Sequence, residues 1–143
     1  MTSYGRAVLV CEVGTERVGL PAEVLREIVR VVTIAPLPQA PPGVEGVIDV
    51  RGQIVPVIDL RRMLGIAPRP IALSDHLVIA RLDGAPLALR VDRAVDFRSD
   101  EAGTSARVVR VDDGLVPVLE PRDLLAPEEW SALRAWLGHE EAP

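Results

Sequence analysis

The sequence predicts an all-β protein built from two similar units, with one short helical stretch and a C-terminal helix. Three observations carry this expectation. Short Val-rich runs are punctuated by turn signals, those runs recur at fixed offsets, and sustained helical spacing appears only near the end. β-Branched residues favour strands because they pack well on a pleated surface. Aromatics are scarce, limited to Tyr4, Phe97, Trp130 and Trp136, so the core must be Val, Leu, Ile and Ala. At 143 residues the chain can bury roughly 70% of its unfolded surface, enough to fold without a metal or a disulfide.

Val8 to Val13 reads as a strand, Gly14 to Arg17 as a turn, and Val18 to Leu20 as the returning strand. Pro21 opens a short helix in which Val24, Leu25, Ile28 and Val29 fall at helical spacing. Val31 to Ile34 reads as a strand, followed by an extended linker containing Pro36, Pro38, Pro41 and Pro42. Val47 to Arg51, a turn at Gly52-Gln53, and Ile54 to Leu60 form a hairpin. Pro56 in its second strand predicts an edge position or a bulge, since proline cannot donate to a ladder.

The second half repeats this plan. At an offset of 69, Val10 matches Ile79, Val13 matches Leu82, Val18 matches Leu87 and Leu20 matches Leu89. At an offset of 61, Val55-Pro56-Val57 matches Val116-Pro117-Val118, with Arg61 on Arg122 and Leu64 on Leu125. Two units of this size are marginal alone and are expected to share one interior. Pro127-Glu128-Glu129 then starts a helix over about 127–137, with proline in the first turn and acids at the positive dipole end. Trp130, Leu133, Trp136 and Leu137 make one apolar stripe, expected to pack onto the body, and Gly138 stops the helix.

Chemistry is harder to find. The net charge is −5 with no basic run, which argues against nucleic acid as a partner, because phosphate neutralisation dominates such binding. All basic residues are Arg, and the chain has neither Lys nor Asn, so a lysine-bearing phosphate loop is excluded. Cys11 is the only cysteine, which precludes an intrachain disulfide, and in an apolar strand it reads as a small buried hydrophobe. Ser74-Asp75-His76 is contiguous, whereas catalytic triads converge from separate segments. A turn whose Ser or Asp orders the local backbone is the better account. His139 falls in a terminal tail, and the carboxylate pairs Asp100-Glu101 and Asp112-Asp113 fall in polar loops. No enzyme activity, metal or cofactor is expected. No signal peptide or bilayer-spanning run is present, so the expectation is a cytoplasmic protein without membrane insertion.

What remains is a pattern of surfaces. Gly46-Val47-Ile48-Asp49-Val50-Arg51-Gly52-Gln53-Ile54-Val55-Pro56-Val57-Ile58-Asp59-Leu60-Arg61 resembles the signature hairpin of CheW-like domains. Val24-Leu25-Arg26-Glu27-Ile28-Val29 and the segment from Pro38 to Gly46 are similar to the stretches that precede that hairpin in the family. The resemblance is continuous over about 8–65 and looser over 75–125. It implies one CheW-like domain over 1–143, made of two small five-stranded β-barrels sharing a hydrophobic interior. The first barrel would span about 8–65 and the second about 75–125. It also implies a non-enzymatic adaptor coupling methyl-accepting chemoreceptor signalling tips to the regulatory domain of a CheA-type histidine kinase in a chemosensory array. Carried over by position, Leu25, Glu27, Gly46 and Arg51 are the candidate partner-binding residues.

This chain departs from the family pattern in places. Asp49 replaces the usual Asn and adds a negative charge two residues from Arg51, so capture of Arg51 by Asp49 within the molecule is the competing reading to a partner-facing Arg51. The region after Phe97 is short and Pro121 interrupts an apolar run, so a second-barrel strand is expected to be missing or distorted. Two alternatives follow. One is a divergent member that binds receptors but couples weakly to kinase. The other, from a different class, is a small β-barrel hydrolase or ligand-binding protein, against which the lack of converging nucleophile and base argues.

Overall fold

The computed structural model describes residues 7–99, 107–112 and 114–138; Tyr4, Asp100, Glu101, Asp113 and His139 lie outside them. The strands are β1 (Ala7–Val13), β2 (Glu16–Pro21), β3 (Leu25–Arg30), β4 (Val44–Val50), β5 (Gln53–Asp59), β6 (His76–Leu82), β7 (Ala85–Val91), β8 (Arg93–Ser99), β9 (Val108–Val111) and β10 (Gly114–Pro117). A one-turn helix α1 (Leu60–Met63) follows β5, and α2 (Pro127–Leu137) follows the strands. None of the described helices is long and apolar enough to cross a membrane.

One sheet has the order β3-β6-β7-β5-β4. The other has the order β2-β1-β8, and the β9–β10 pair joins it through a parallel bridge between Gly19 and Val118. Each sheet therefore takes a hairpin from the other half of the chain. The β1–β2 hairpin stands with β8 to β10, and the β6–β7 hairpin stands with β3 to β5. The expected boundaries of 8–65 and 75–125 are not those that strand pairing makes.

The repeat governs this exchange. Val57 pairs in parallel with Ala88, and the offsets of 61 and 69 carry that pair onto Val118 and Gly19, which also pair in parallel. The bulges repeat as well. Between β3 and β6 the register shifts from Leu25↔Ala80 to Glu27↔Ile79, and between β1 and β8 it shifts at the matching place, Cys11↔Ala94 to Val10↔Asp96.

Both hairpins are buried on two faces because of it. Leu9, Cys11, Val13, Val78 and Leu82 point into a shared central cluster with Ile58, Leu60 and Leu89. The alternate residues Val8 and Val10 face Val109, Val111, Val116 and Val118, while Leu77 and Ile79 face Ile48, Val55 and Val57. Burial pushes the Cys11 thiol up to about 12, so it remains protonated, as expected for a small core side chain.

Several local expectations give way to tertiary context. Neither sheet closes into a barrel. The segment after β3 reaches β4 by backbone at Ala35 and Val47, which exchange hydrogen bonds of 2.9 and 2.8 Å, and Pro36 and Pro38 beyond this point offer no donors to continue the pairing. The short helix after Pro21 is a three-residue 3-10 turn, Ala22–Val24. Leu25–Arg30 is instead a strand of alternating burial, held by its ladder to β6. Val31 to Ile34 forms no strand, and the proline segment is not extended but folded into two turns, Ala40 N–H to Leu37 O and Val44 N–H to Pro41 O. Pro56 lies in an inner strand, not at an edge. Val47, its partner across β4–β5, spends its N–H and C=O on Ala35, and the β5–β7 ladder begins only at Val57. The missing N–H is therefore not needed. No second-half strand is lost: β9 and β10 are present but have 4 residues each, against 7 in β4 and β5. Pro121 opens a 3-10 turn, Pro121–Leu124, at the place equivalent to α1.

The far ends of β4, β5 and β7 hold a buried charge network. Arg90, 3% exposed, donates through its guanidinium to Glu45 at 2.6 and 2.9 Å and to Asp75 at 2.9 Å, and lies 3.1 Å from Asp59. Asp75 also accepts from Arg69 at 2.5 Å and from the Ala72 N–H at 3.0 Å. Arg69 reaches Asp92 at 2.9 Å. Asp92 takes Arg61 at 2.8 Å and the Gly14 N–H of the β1–β2 turn at 2.8 Å. The network thus ties one sheet to the other. In the second sheet the position equivalent to Arg90 is Pro21, so the central guanidinium of this network is not repeated there.

Two outcomes follow. Ile58, wholly buried in the central cluster, should cost about 2–5 kcal/mol when truncated to Ala; an unchanged urea midpoint would contradict its place there. Burial opposes ionisation of Asp75 and Asp92, but hydrogen bonds from Arg69 and the Ala72 N–H, and from Arg61 and the Gly14 N–H, outweigh it and hold both carboxyls below their usual range. Folded-state values below the unfolded one mean stability that is fully present above about pH 4 and lost as pH falls through the folded values. Urea unfolding followed from about pH 5 down to about pH 2 should show that acid limb. Asp75→Asn should flatten it, and a limb of unchanged slope would count against this network.

Candidate functional site

The opposite end of the five-stranded sheet carries the residues singled out from sequence. β4 and β5 are joined by Arg51 and Gly52, with φ of 51° and 84°. Two residues of positive φ make the two-residue turn whose twist matches paired strands, and Gly at the second place lowers its cost. The Asp49 carboxylate accepts the Gly52 N–H at 2.7 Å and so locks this turn. It does not capture Arg51, which sets aside the competing reading from sequence.

Arg51 turns instead to Glu27 on β3, at the other edge of the sheet. Its Nη1 lies 3.3 Å from Glu27 Oε2, and its Nη2 pairs with Oε1. This bidentate contact fixes the plane of the guanidinium. The hydrogen bonds from Arg51 hold the Glu27 carboxyl below its usual range. The pair is nevertheless on the surface: the Arg51 side chain is 75% exposed and that of Glu27 29%. Two of the five guanidinium donors are engaged with Glu27.

The pair stands over a cleft at the sheet end, lined by Val55, Ile79 and Pro86 and by Arg26 and Arg81. Three arginines against one carboxylate give it a positive character. The β3–β6 bulge sets its geometry, since the extra residue, Arg26, lets Glu27 face Arg51.

Leu25 and Gly46 have other positions. Leu25 is partly buried against the central cluster. Gly46 is buried, and a Cβ there would lie 2.1 Å from the Ala35 carbonyl oxygen. Its bare backbone allows the Ala35–Val47 bridge. The structure therefore brings together Glu27 and Arg51, while Gly46 lies near the other end of β4, where it lets Val47 meet Ala35.

The residues weighed for catalysis are engaged elsewhere. Asp75 is committed to Arg69, Arg90 and the Ala72 N–H, and His76 Nδ1 accepts the Ala94 N–H at 3.0 Å. Among the described residues, no group of three or more His, Cys, Asp or Glu is placed to hold a metal. Sequence reading missed the Arg90 network, although its Asp59-Leu60-Arg61 element lies inside the signature hairpin. Asp59 accepts the Arg61 N–H to start α1 and faces Arg90, Leu60 is buried, and Arg61 holds Asp92.

Comparison with known proteins follows the same outline. The model of the CheW-like domain matches residues 7–129. Chemotaxis protein CheW of Rhizobium meliloti (strain 1021) is 28% identical over 97 residues, 68% of this chain and 63% of that protein. Protein FrzA of Myxococcus xanthus is 42% identical over 52 residues, 36% of this chain and 32% of that protein. The aligned part of the chain thus spans less than two thirds of either relative. The crystal structure of scaffolding protein TtCheW from Thermoanaerobacter tengcongensis shares the fold, with a TM-score of 0.75 at 24% identity, covering 87% of this chain and 90% of that one. With a family match that runs from β1 into α2, through both exchanged hairpins, this chain belongs to the CheW-like domain family.

Proposed function

We propose that this protein is a non-enzymatic adaptor of a chemosensory array, joining chemoreceptor signalling tips to a CheA-type histidine kinase in the cytoplasm. Family membership supports the adaptor role, and the relatives it resembles are a chemotaxis protein CheW and a scaffolding protein. The observation that carries the site is the Glu27–Arg51 pair, which holds an exposed guanidinium in a fixed plane above a positive cleft. Such an arrangement suits a partner carboxylate, because a preoriented fork loses little side-chain entropy on binding. Leu25 contributes by packing β3 onto the central cluster, and Gly46 by allowing the close approach of Ala35 to β4.

The shortened strands β9 and β10 favour a second reading. On that reading the protein binds receptors through the first sheet and couples weakly or not at all to the kinase. Titration of the protein with a receptor-tip fragment and, separately, with the kinase regulatory domain distinguishes the two.

Arg51→Glu should leave the melting temperature nearly unchanged, since exposed ion pairs contribute little to stability. Affinity for the receptor-tip fragment, measured by calorimetry, should fall about thirtyfold or more, as expected for reversal of an interfacial charge. Arg62→Glu, an exposed change on α1, should matter far less. An Arg51→Glu protein that binds the tip as well as the parent protein would end the interface claim, and equal loss in both variants would reduce it to a general charge effect.

A further inference from the structure

A second surface, remote in chemistry from the sheet-end cleft, lies between α2 and the proline segment. One wall is Leu37, Pro41 and Pro42, and the other is Glu128, Ala132 and Trp136. Glu128, Ala132 and Trp136 are spaced by four and share one helix face. The apolar stripe read from sequence divides here. Leu133 is buried, and Trp130 is half-buried with its indole N–H bonded to the Arg122 carbonyl at 2.9 Å. Trp136 is 53% exposed, and α2 needs none of that exposed surface for its packing.

Both walls are held in place. The proline segment is fixed by its two turns and by Leu37, which is anchored in the central cluster. α2 is started by Pro127 and by the Glu129 carboxylate, which accepts the Ala126 N–H at 2.9 Å, and is stopped by Gly138 with φ of 74°. A groove with rigid walls need not be ordered when it is filled.

Charge identifies the occupant. Among the described residues, Glu128 and Glu129 are the only charged ones that line the groove. Glu129 is already occupied at the helix start, whereas Glu128 has no ion pair or hydrogen bond among the described residues. An exposed indole and a carboxylate about 12 Å apart along the same helix face each attract a cation, the first through the ring quadrupole and the second by direct attraction. The neighbouring cleft between α2 and the β6–β7 turn is different, because Asp83 there already neutralises Arg122 at 2.9 Å and stands 3.9 Å from Arg134. We propose that the groove between α2 and the proline segment binds an extended, arginine-bearing segment of a partner protein, one guanidinium resting on Trp136 and another paired with Glu128.

The two indoles provide the test. The probe is a short synthetic peptide of alternating Arg and Pro, with a control in which citrulline replaces arginine, removing the charge and keeping the shape. In ¹H–¹⁵N spectra of the full chain, the Trp136 indole signal should shift on titration with the arginine peptide, while that of Trp130 stays still. Glu128→Gln, an exposed change, should weaken binding about fivefold, as should the citrulline peptide, in line with an exposed cation–aromatic contact and its pairing. Trp136→Leu should abolish binding while preserving the Trp130 signal. The proposal is overturned if the Trp136 signal does not move, if both indoles shift alike, or if Glu128→Gln binds the peptide undiminished. Should Trp136→Leu unfold the protein, the Glu128→Gln and citrulline comparisons decide the matter alone.

Discussion

The exchange of hairpins between the two halves is the constraint on which this structure depends. A hairpin packed only within its own half would bury one face and leave the other to water. Here β1 and β7 are buried on both faces, because each hairpin lies between its own sheet and the central cluster. That explains how a chain with so few aromatics builds a core. Its Val and Leu residues are small, but nearly every one along these strands is used. Two parallel pairings of three or fewer residues, Val57–Ala88 with its neighbours and Gly19–Val118, seat the exchanged hairpins.

Around that frame, charge is divided between the ends of the five-stranded sheet. At one end Arg90 is enclosed by Glu45, Asp59 and Asp75, and the chain of pairs through Arg69, Asp92 and Arg61 reaches the other sheet. Removing one member of such a set strands its partners in the interior, so it specifies register strongly even where its net stabilisation is modest. At the other end the Arg51–Glu27 pair is open to solvent and adds little to folding. The same residue types therefore do different work, one end fixing the scaffold and the other facing a partner. The one-turn helix α1 belongs to the first role, since Asp59, Leu60 and Arg61 each have a place in the interior or the network.

Much of this was legible in the sequence, and the misses have physical causes. The offsets of 69 and 61 identified equivalent residues correctly, down to the pairing of Val57 and Val118 with their partners. Nothing local could say which half each hairpin would join, since that choice is made by contacts across the whole chain. Val24, Leu25, Ile28 and Val29 fit a helix, yet Leu25–Arg30 pairs as a strand, because the ladder to β6 outweighs a weak local preference. Glu27 and Arg51 were found through family resemblance, but their contact was not foreseen. Asp49 was the nearer acid, and only the backbone shows that it is occupied by the turn. The Arg90 network was invisible for the same reason, with partners 15 and 45 residues away.

Native-state hydrogen exchange measured at increasing denaturant tests the exchanged, mutually dependent sheets most directly. The account predicts that the slowest amides of β1, β5, β6 and β7 all exchange through one global opening, with a common free energy equal to that of unfolding. A sheet that opened separately, with β6 and β7 exchanging at a distinctly lower free energy than β1, would show that the halves fold independently and would contradict it.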